Sequence, residues 1–287
     1  MNSPAIIPPQ TILITGCSSG IGYHCAHSLK NLGYHVIASC RKTEDVNRLR
    51  DEGLVCVQLD LADEKSINQA WSEILELCNG QLSALFNNGA FGLPGAVEDL
   101  SRAALEHQFA TNVFGTQQLT NLTLRQMRTQ GYGRIIYNSS VLGFAAMAFR
   151  GAYNASKYAI EGLADTLRLE LAHEPISVSL IEPGPIASHF RANAYHEFQT
   201  WVNTEHSPHQ NNYNAMIARL QKQGAAAPFT LGPEAIHKVL LHALQSKHPK
   251  ARYRVTKPTH VFAILKRLLP TSALDWVLRK AGGDGRR

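Results

Sequence analysis

The stretch Thr11-Ile12-Leu13-Ile14-Thr15-Gly16-Cys17-Ser18-Ser19-Gly20-Ile21-Gly22 decides the fold. A short apolar run, 11–15, leads straight into Gly16, Gly20 and Gly22, and residues 20–32 then carry apolar side chains at helical spacing. A strand that turns into a helix on glycines brings its backbone close to a ligand and aims the unpaired N–H groups of the helix start at an anion. The spacing is not G-x-G-x-x-G, yet the physics is shared: a tight turn, close approach, and a pyrophosphate at the helix end. The stretch predicts the first βα unit of a nucleotide-binding fold.

The alternation continues outward. Apolar runs bounded by Gly, Pro or polar residues predict strands at 34–39, 54–58, 82–86, 133–138 and 176–181. Helical patterns fall between them at 43–52, 63–79, 101–129 and 151–173. Strands alternating with helices give a parallel sheet covered on both faces, so the fold class is α/β, a Rossmann doubly wound sheet flanked by helices. Residues 1–257 read as one such domain. Within it, 186–230 is rich in Asn, His and Gln and poor in strand signal, which suits a substrate lid after the sixth strand or a passive surface excursion. A helix near 232–247, with Pro233 in its first turn, and a short strand at 251–255 follow; residues 258–287 form a basic amphipathic C-terminal tail.

Composition narrows the function class. With 44% hydrophobic and 17% charged residues, the chain is neither disordered nor fibrous. A net charge of +6 suits an anionic partner, but the basic residues are dispersed before the tail and no zinc-finger or RNA-binding signature occurs. Nucleic acid is therefore not expected, whereas a phosphorylated cofactor accounts for part of the charge. Cys17, Cys25, Cys40, Cys56 and Cys78 are odd in number and without Cys-x-x-Cys spacing, which reads as reduced thiols of a cytoplasmic protein. The N-terminus lacks a signal-peptide pattern, and no run approaches the roughly 18 apolar residues of a membrane span. Histidines and acids lack ligand spacing, so no metal is expected. In the tail, Phe262, Ile264, Leu265, Leu268, Leu269, Trp276, Val277 and Leu278 stand among Lys266, Arg267, Arg279 and Lys280. That pattern suits peripheral contact with an anionic membrane face, or packing against protein.

Two local patterns carry chemistry. The second strand ends Ala38-Ser39-Cys40-Arg41-Lys42, where NAD-binding folds of this kind usually place an acid for the ribose hydroxyls. Arg41 and Lys42 instead offer two cations to a 2′-phosphate, which predicts NADP(H); a solvated loop pair is the competing reading. Further on, Tyr153 and Lys157 are four residues apart and share a helix face, so the ammonium can stabilise a phenolate. A free phenol, with a pKa of about 10, needs such help to exchange protons near neutral pH. The pair alone recurs on many solvated helices, and its meaning depends on Ser140, thirteen residues upstream, and on the glycine turn.

With these features in this order, the chain resembles the classical short-chain dehydrogenase/reductases. The resemblance rests on Thr15–Gly22, the pair Asp60-Leu61, Asn87-Asn88-Gly89-Ala90, Asn112, Asn138–Gly143, Tyr153–Lys157 and Glu182–Ile186; it spans residues 10–190 and extends loosely to about 255. It is similar in wording to the branch of bacterial NADP-dependent aldehyde reductases and 17β-hydroxysteroid and retinol dehydrogenases, through CRKTEDV at 40–46, AYNASKYAIEGLADTLRLEL at 152–171 and the tail. One departure is Asn-Asn-Gly-Ala at 87–90, where the family usually has Asn-Asn-Ala-Gly; local adjustment with intact binding is expected.

The resemblance implies Tyr153 as acid/base, Lys157 lowering its pKa and holding the nicotinamide ribose, Ser140 orienting the carbonyl, and Asn112 keeping a water chain to the lysine. It implies Gly16, Ser18, Ser19, Ile21 and Gly22 at the pyrophosphate and Asp60 and Leu61 at the adenine. Asn87 and Gly89 are implied at the fourth-strand crevice, and Pro183, Gly184, Ile186 and Ser188 beside the nicotinamide. The activity implied is NADPH-dependent reduction of an apolar aldehyde or ketone. Alternatives are a steroid or retinol dehydrogenase acting in either direction, and a non-catalytic NADP(H)-sensing regulator. Phe190, Tyr195, Phe198, Trp201, Tyr213 and Met216 either wall an apolar pocket or pack the lid on its own domain, and His189 is a candidate pocket residue. A homodimer or homotetramer through helices 101–129 and 151–173 is implied as well.

Overall fold

The computed structural model describes residues 4–222, 224 and 227–283. Residues 1–3 of the expected domain, 223 and 225–226 at the close of the expected lid, and 284–287 of the expected tail lie outside the described residues. The first half alternates β1 (Thr11–Ile14), α1 (Gly20–Asn31), β2 (His35–Cys40), α2 (Thr43–Asp51), β3 (Val55–Gln58), α3 (Glu64–Leu77) and β4 (Leu82–Asn87). It continues through α4 (Arg102–Phe109), α5 (Thr116–Gln130), β5 (Gly133–Asn138), α6 (Gly151–Glu170) and β6 (Ile176–Glu182).

Seven strands form one parallel sheet in the order β3-β2-β1-β4-β5-β6-β7, the last being Arg252–Arg254. The chain winds outward in opposite directions from β1 and β4, so their C-terminal ends open the crevice where such sheets bind ligands. Alternate side chains serve opposite faces. Ile12 and Ile14 pack with Cys25 and Leu29 of α1 and with Ile236 and Leu240, while Leu13 packs with Ile67 and Trp71 of α3, Leu119 of α5 and Ile160 of α6. Each such buried side chain is worth about 1.5–3 kcal/mol. The five cysteines are free and buried, and burial pushes the Cys25 thiol up to about 12.

The single helix expected over 101–129 is α4 and α5 joined by a π-helical stretch, Ala110–Gly115. The cause is a backbone contact: a Cβ on Gly115 would stand 1.7 Å from the Leu61 carbonyl oxygen, so the chain passes directly against the segment after β3.

After β6 the chain forms α7 (Phe190–Trp201) and α8 (Gln210–Gln221), an excursion pinched at its base where Ile186 pairs with Leu231. Pro233 is the N-cap of α9 (Glu234–Gln245), beyond which come β7, α10 (Lys257–Leu268) and α11 (Thr271–Gly282). Phe262 of α10 is buried with Val141, Leu142 and Ala145, and Leu265, Val277 and Leu278 pack on the same cluster. One face of the tail thus packs on its own domain. Among the described residues, no helix is long and apolar enough to cross a membrane.

Candidate active site

The glycine turn is built by close backbone approach. Gly16 and Gly20 have φ of +70° and +59°, a region that favours glycine. A Cβ on Gly22 would lie 2.3 Å from the Gly16 carbonyl oxygen, and one on Gly16 would lie 2.6 Å from Gly89 Cα. The Asn88 amide clasps the turn, donating to the carbonyls of Thr15 (2.9 Å) and Gly16 (3.1 Å) while its oxygen accepts from Asn138 (2.9 Å). Thr15 Oγ1 returns the clasp by accepting the N–H groups of Asn88 (3.0 Å) and Gly89 (2.8 Å). The order Asn-Gly-Ala after Asn87 now has a reason. A Cβ on Gly89 would crowd Leu61 Cδ1 at 3.0 Å and Thr15 Oγ1 at 3.2 Å, so glycine fits where the ends of β1 and β4 meet.

The other residues expected at a nucleotide lie along the same crevice, with one exception. Ser19 is the N-cap of α1, its hydroxyl making no capping bond, and Ile21 packs on the core beneath. The Ser18 carbonyl is held by Arg48 (2.7 Å), which Asp45 (3.0 Å) and Glu52 (3.1 Å) fix in turn. Arg41 and Lys42 are exposed at the end of β2, and the Arg41 carbonyl accepts from Gln58 (3.1 Å). Asp60 accepts the Ala62 N–H (2.9 Å), which shapes the turn that presents Leu61 to Gly89. Pro183 accepts the Val141 N–H (2.7 Å), Gly184 lies against Thr256, and Ile186 sits at the base of the excursion. Ser188 approaches Gly20, its Cβ 3.1 Å from where a Gly20 Cβ would stand. Asn87 is the exception: its amide donates to Thr120 of α5 (2.9 Å), leaving only its backbone at the crevice.

The residues expected to move protons sit beside this crevice. Tyr153 has Ser140 as its side-chain neighbour, and the Ser140 hydroxyl accepts the Leu142 N–H (3.1 Å) at the start of a short 3₁₀ turn. Ser139 instead faces Glu161, so the two serines serve different partners. Lys157 is buried, donates to the Asn138 carbonyl (2.7 Å) and stands 5.7 Å from the Tyr153 ring centroid. Burial pulls the Lys157 ammonium down to about 8, against the pull of Glu161. Burial also pushes the Tyr153 phenol up to about 12, opposed by the Ser140 hydrogen bond and by the guanidinium of Arg150. The sequence reading missed Arg150; its only signal is its place beside Gly151 at the helix start.

Asn112 lies in the π stretch, its amide spent on protein. It accepts the Phe91 N–H (3.1 Å) and donates to the Phe91 carbonyl (2.9 Å) and to Ser156 Oγ (3.0 Å). Ser156 donates to the Tyr153 carbonyl (2.9 Å), so the Asn112 side chain positions α6 and the segment after β4.

Phe190 closes over the site, its ring 5.3 Å from that of Tyr153, and Gly92 makes room because a Cβ there would meet Phe190 Cζ at 2.7 Å. Phe198, Tyr213 and Met216 are buried with Leu93, Ala96 and Ala104, and Trp201 stacks on His107 at 4.6 Å; these four pack the excursion on its own domain. His189 and Tyr195 line an open cavity of about 540 Å³ that begins at Ser188.

Known proteins agree with this geometry. The sequence model of the short chain dehydrogenase family matches residues 10–198. An uncharacterized oxidoreductase, YbbO, of Escherichia coli is 44% identical over 270 residues, covering 94% of each chain. Retinol dehydrogenase 8 of Bos taurus is 30% identical over 276 residues, covering 93% of this chain and 88% of its own. A short chain dehydrogenase/reductase from Burkholderia phymatum, solved with NAD, superposes with a TM-score of 0.75 at 22% identity over 90% of this chain and 92% of its own. The seven-stranded sheet, the glycine turn and the match over residues 10–198 agree: the chain is an oxidoreductase and belongs to the short-chain dehydrogenase/reductase family, whose members bind NAD or NADP.

Proposed function

We propose that the chain is an NADP(H)-dependent reductase of apolar aldehydes or ketones in which Tyr153 is the proton donor. The observation that carries this reading is the meeting of Tyr153, Ser140 and Lys157 beside the glycine turn. The turn fits a dinucleotide because side chains would fill it: Gly16, Gly22 and Gly89 each lack a Cβ where backbones converge, and Ser18, Ser19 and Gly22 open α1 toward a pyrophosphate. When bound, the nicotinamide supplies the hydride.

The chain's own part is to orient the carbonyl and deliver a proton. Ser140 donates a hydrogen bond to the carbonyl oxygen, and Tyr153 passes its phenolic proton to that oxygen as negative charge develops there. Burial keeps the proton on Tyr153 until it is needed. Lys157 and Arg150 then stabilise the phenolate left behind. Phe190, Val141, Leu142 and Phe262 supply apolar walls.

Arg41 and Lys42 at the end of β2, with no acid between Ala38 and Lys42, favour NADP(H). Equilibrium titration is expected to give NADPH a dissociation constant at least tenfold below that of NADH; tighter NADH binding overturns this part. Tyr153→Phe is expected to cut kcat by about 10²–10⁴ while NADPH still binds, and unchanged turnover would sink the enzymatic reading. A steroid or retinol dehydrogenase is the second reading, favoured by the similarity to retinol dehydrogenase 8. A panel of aldehydes, ketones, steroids and retinal separates the two. A non-catalytic sensor is disfavoured because Ser140, Tyr153 and Lys157 are all present and in contact range.

Exposed Phe114, Tyr158, Leu163 and Leu169 on the π stretch and α6 support a homodimer or homotetramer, which light scattering reads directly. The outer face of α10 and α11, with Val261, Ile264, Leu268 and Trp276 exposed among basic residues, supports peripheral contact with an anionic membrane of the cytoplasm.

A further inference from the structure

His107 lies on α4, just before the π stretch that carries Asn112, and joins the active site to the excursion after β6. Two aromatic rings rest against it: that of Phe91 at 4.8 Å, tilted by 40°, and that of Trp201 at 4.6 Å, stacked within 20° of parallel. Its Nε2 is 2.9 Å from the Glu197 carboxylate, and the two side chains are only 25% and 16% exposed. Glu197 and Trp201 are one helical turn apart on α7, so a single side chain of α4 grips two successive turns of that helix.

Phe190, the first residue of α7, belongs to the same face. At 100° per residue, positions 190, 197 and 201 fall on one stripe, so whatever fixes Glu197 and Trp201 also fixes the direction of Phe190. Phe190 is the residue that covers the site: its ring stands edge-on to that of Tyr153 at 5.3 Å, in the space that Gly92 leaves open. The ground beneath His107 is firm. The Phe91 N–H donates to Asn112 (3.1 Å), its carbonyl accepts from Asn112 (2.9 Å) and Gln108 (3.0 Å), and Gln108, itself fully buried, accepts the Leu93 N–H (2.7 Å).

The other attachments of the excursion do a different job. Tyr213 of α8 is buried, accepts the Ala96 N–H (3.0 Å) and donates to Asp99, so α8 is anchored without His107. Ala194 and Phe198 hold α7 to the domain by apolar burial, which is non-directional and leaves the helix free to roll. The hydrogen bond to Glu197 and the stack on Trp201 have direction, and they set the roll.

We propose that His107 is a positioning residue: by gripping Glu197 and Trp201 it fixes the rotation of α7 that lays Phe190 over Tyr153, and so sets how tightly the site holds an apolar carbonyl compound. This rests on the reading of Tyr153 as the proton donor to a carbonyl and adds a residue that acts on that site through the lid.

The test uses the full chain, NADPH and n-aldehydes of four to twelve carbons. In His107→Ala, kcat/KM is expected to fall about tenfold for the longer aldehydes, mostly through KM, while the NADPH dissociation constant stays within about twofold of the wild type. His107→Gln, which keeps a donor toward Glu197, restores part of the loss. Phe190→Ala is expected to lose as much alone, and adding His107→Ala to it changes kcat/KM by less than about twofold, because His107 acts through Phe190. Hydrogen exchange reads the same contact without turnover: in His107→Ala the amides of α7 exchange about tenfold faster while those of α8 hold. Glu197→Ala reaches the contact from the other helix and is expected to reproduce both results, so the proposal stands or falls even where His107→Ala does not fold. Wild-type kcat/KM in these variants, losses that multiply with Phe190→Ala, or unchanged exchange of α7 overturns it. If Tyr153→Phe retains full activity, the reading beneath fails instead, and the exchange of α7 still decides the role of His107.

Discussion

Glu161 stands one helical turn beyond Lys157 on α6 and faces charges from three strands and its own helix: Ser139 from the end of β5, Glu182 from β6, Arg252 from β7, and Lys157 and Asp165 from α6. Arg252 is shared among Glu161, Asp165 and Glu182; Asp165 also engages Arg168 (2.7 Å) and Glu182 also engages Arg254 (3.2 Å), so of the three carboxylates Glu161 alone has no arginine to itself. Burial, with Glu182 adding repulsion, therefore raises the Glu161 carboxyl from 4.5 to about 7 in spite of Arg252 and Ser139. The sign follows from proton linkage. Between those values the folded chain holds a proton that the unfolded chain has released, so this group's contribution to stability falls as pH rises from 4.5 to about 7. At about 1.4 kcal/mol per unit, the effect is on the order of 3 kcal/mol at most. Urea midpoints at pH 5 and pH 7.5 are expected to differ less in Glu161→Gln than in the wild type; an identical pH dependence would contradict the assignment. Glu182, also raised, titrates in both proteins, so the variant loses the share of the pH dependence that belongs to Glu161 and to its repulsion with Glu182 and keeps the rest. The turn gives a second prediction. In Gly22→Ala the new Cβ would meet the Gly16 carbonyl oxygen at 2.3 Å and Asn88 Nδ2 at 2.6 Å, where backbone and clasp have no free space. Overpacking of this kind costs about 1–3 kcal/mol, and NADPH titration is expected to show at least tenfold weaker binding.

Helices and strands were legible wherever burial imposes a period, and illegible where a single contact bends the rule. The strand at 133–138 and the alternation of Ile12, Leu13 and Ile14 follow from a sheet covered on both faces, which only apolar runs satisfy. The π stretch over 110–115 left no trace in the pattern, because helical periodicity continues across it. Its cause, Leu61 against Gly115, joins residues distant in the chain. The site divides the same way: glycines, Tyr153 and Lys157 announce themselves by spacing, whereas Asn88 and Thr15 act through tertiary hydrogen bonds with no sequence period. Asn87 turns to Thr120 because alternation along β4 sends it to the α5 face. Gly115→Ala tests the element. With a Cβ 1.7 Å from a carbonyl oxygen, the π stretch must move away from Leu61, taking Asn112 with it. Thermal unfolding is expected to show a loss of several kcal/mol, above the roughly 1 kcal/mol typical of single substitutions. Wild-type stability would mean that α5 does not depend on this contact.

At the scale of the whole molecule, the net charge of +6 and the two faces of the tail make one argument. The inner face of α10 sets Phe262 on Val141, Leu142 and Ala145, the loop that follows Ser140, so the tail buttresses the site it lies beside. The outer face leaves Ile264 58% and Leu268 74% exposed, and on α11 Trp276 is 58% exposed. Arg267, Arg279 and Lys280 stand in the last turns of the two helices, where a negative surface would attract them. Substitution at the two faces is expected to separate stability from surface binding. Phe262→Ala opens a cavity against buried partners and is expected to cost about 3–5 kcal/mol in urea unfolding. Ile264→Glu with Leu268→Glu removes no buried contact and places two charges of the wrong sign on the outer face, so the unfolding midpoint is expected to hold while sedimentation with phosphatidylglycerol vesicles at low salt falls at least tenfold. Wild-type binding is expected to weaken as salt rises, since the charges that attract it are exposed and screened within about 10 Å at 0.1 M. Equal sedimentation of the wild type and the double variant would show that the outer face does not meet lipid and leave it as an ordinary solvated surface.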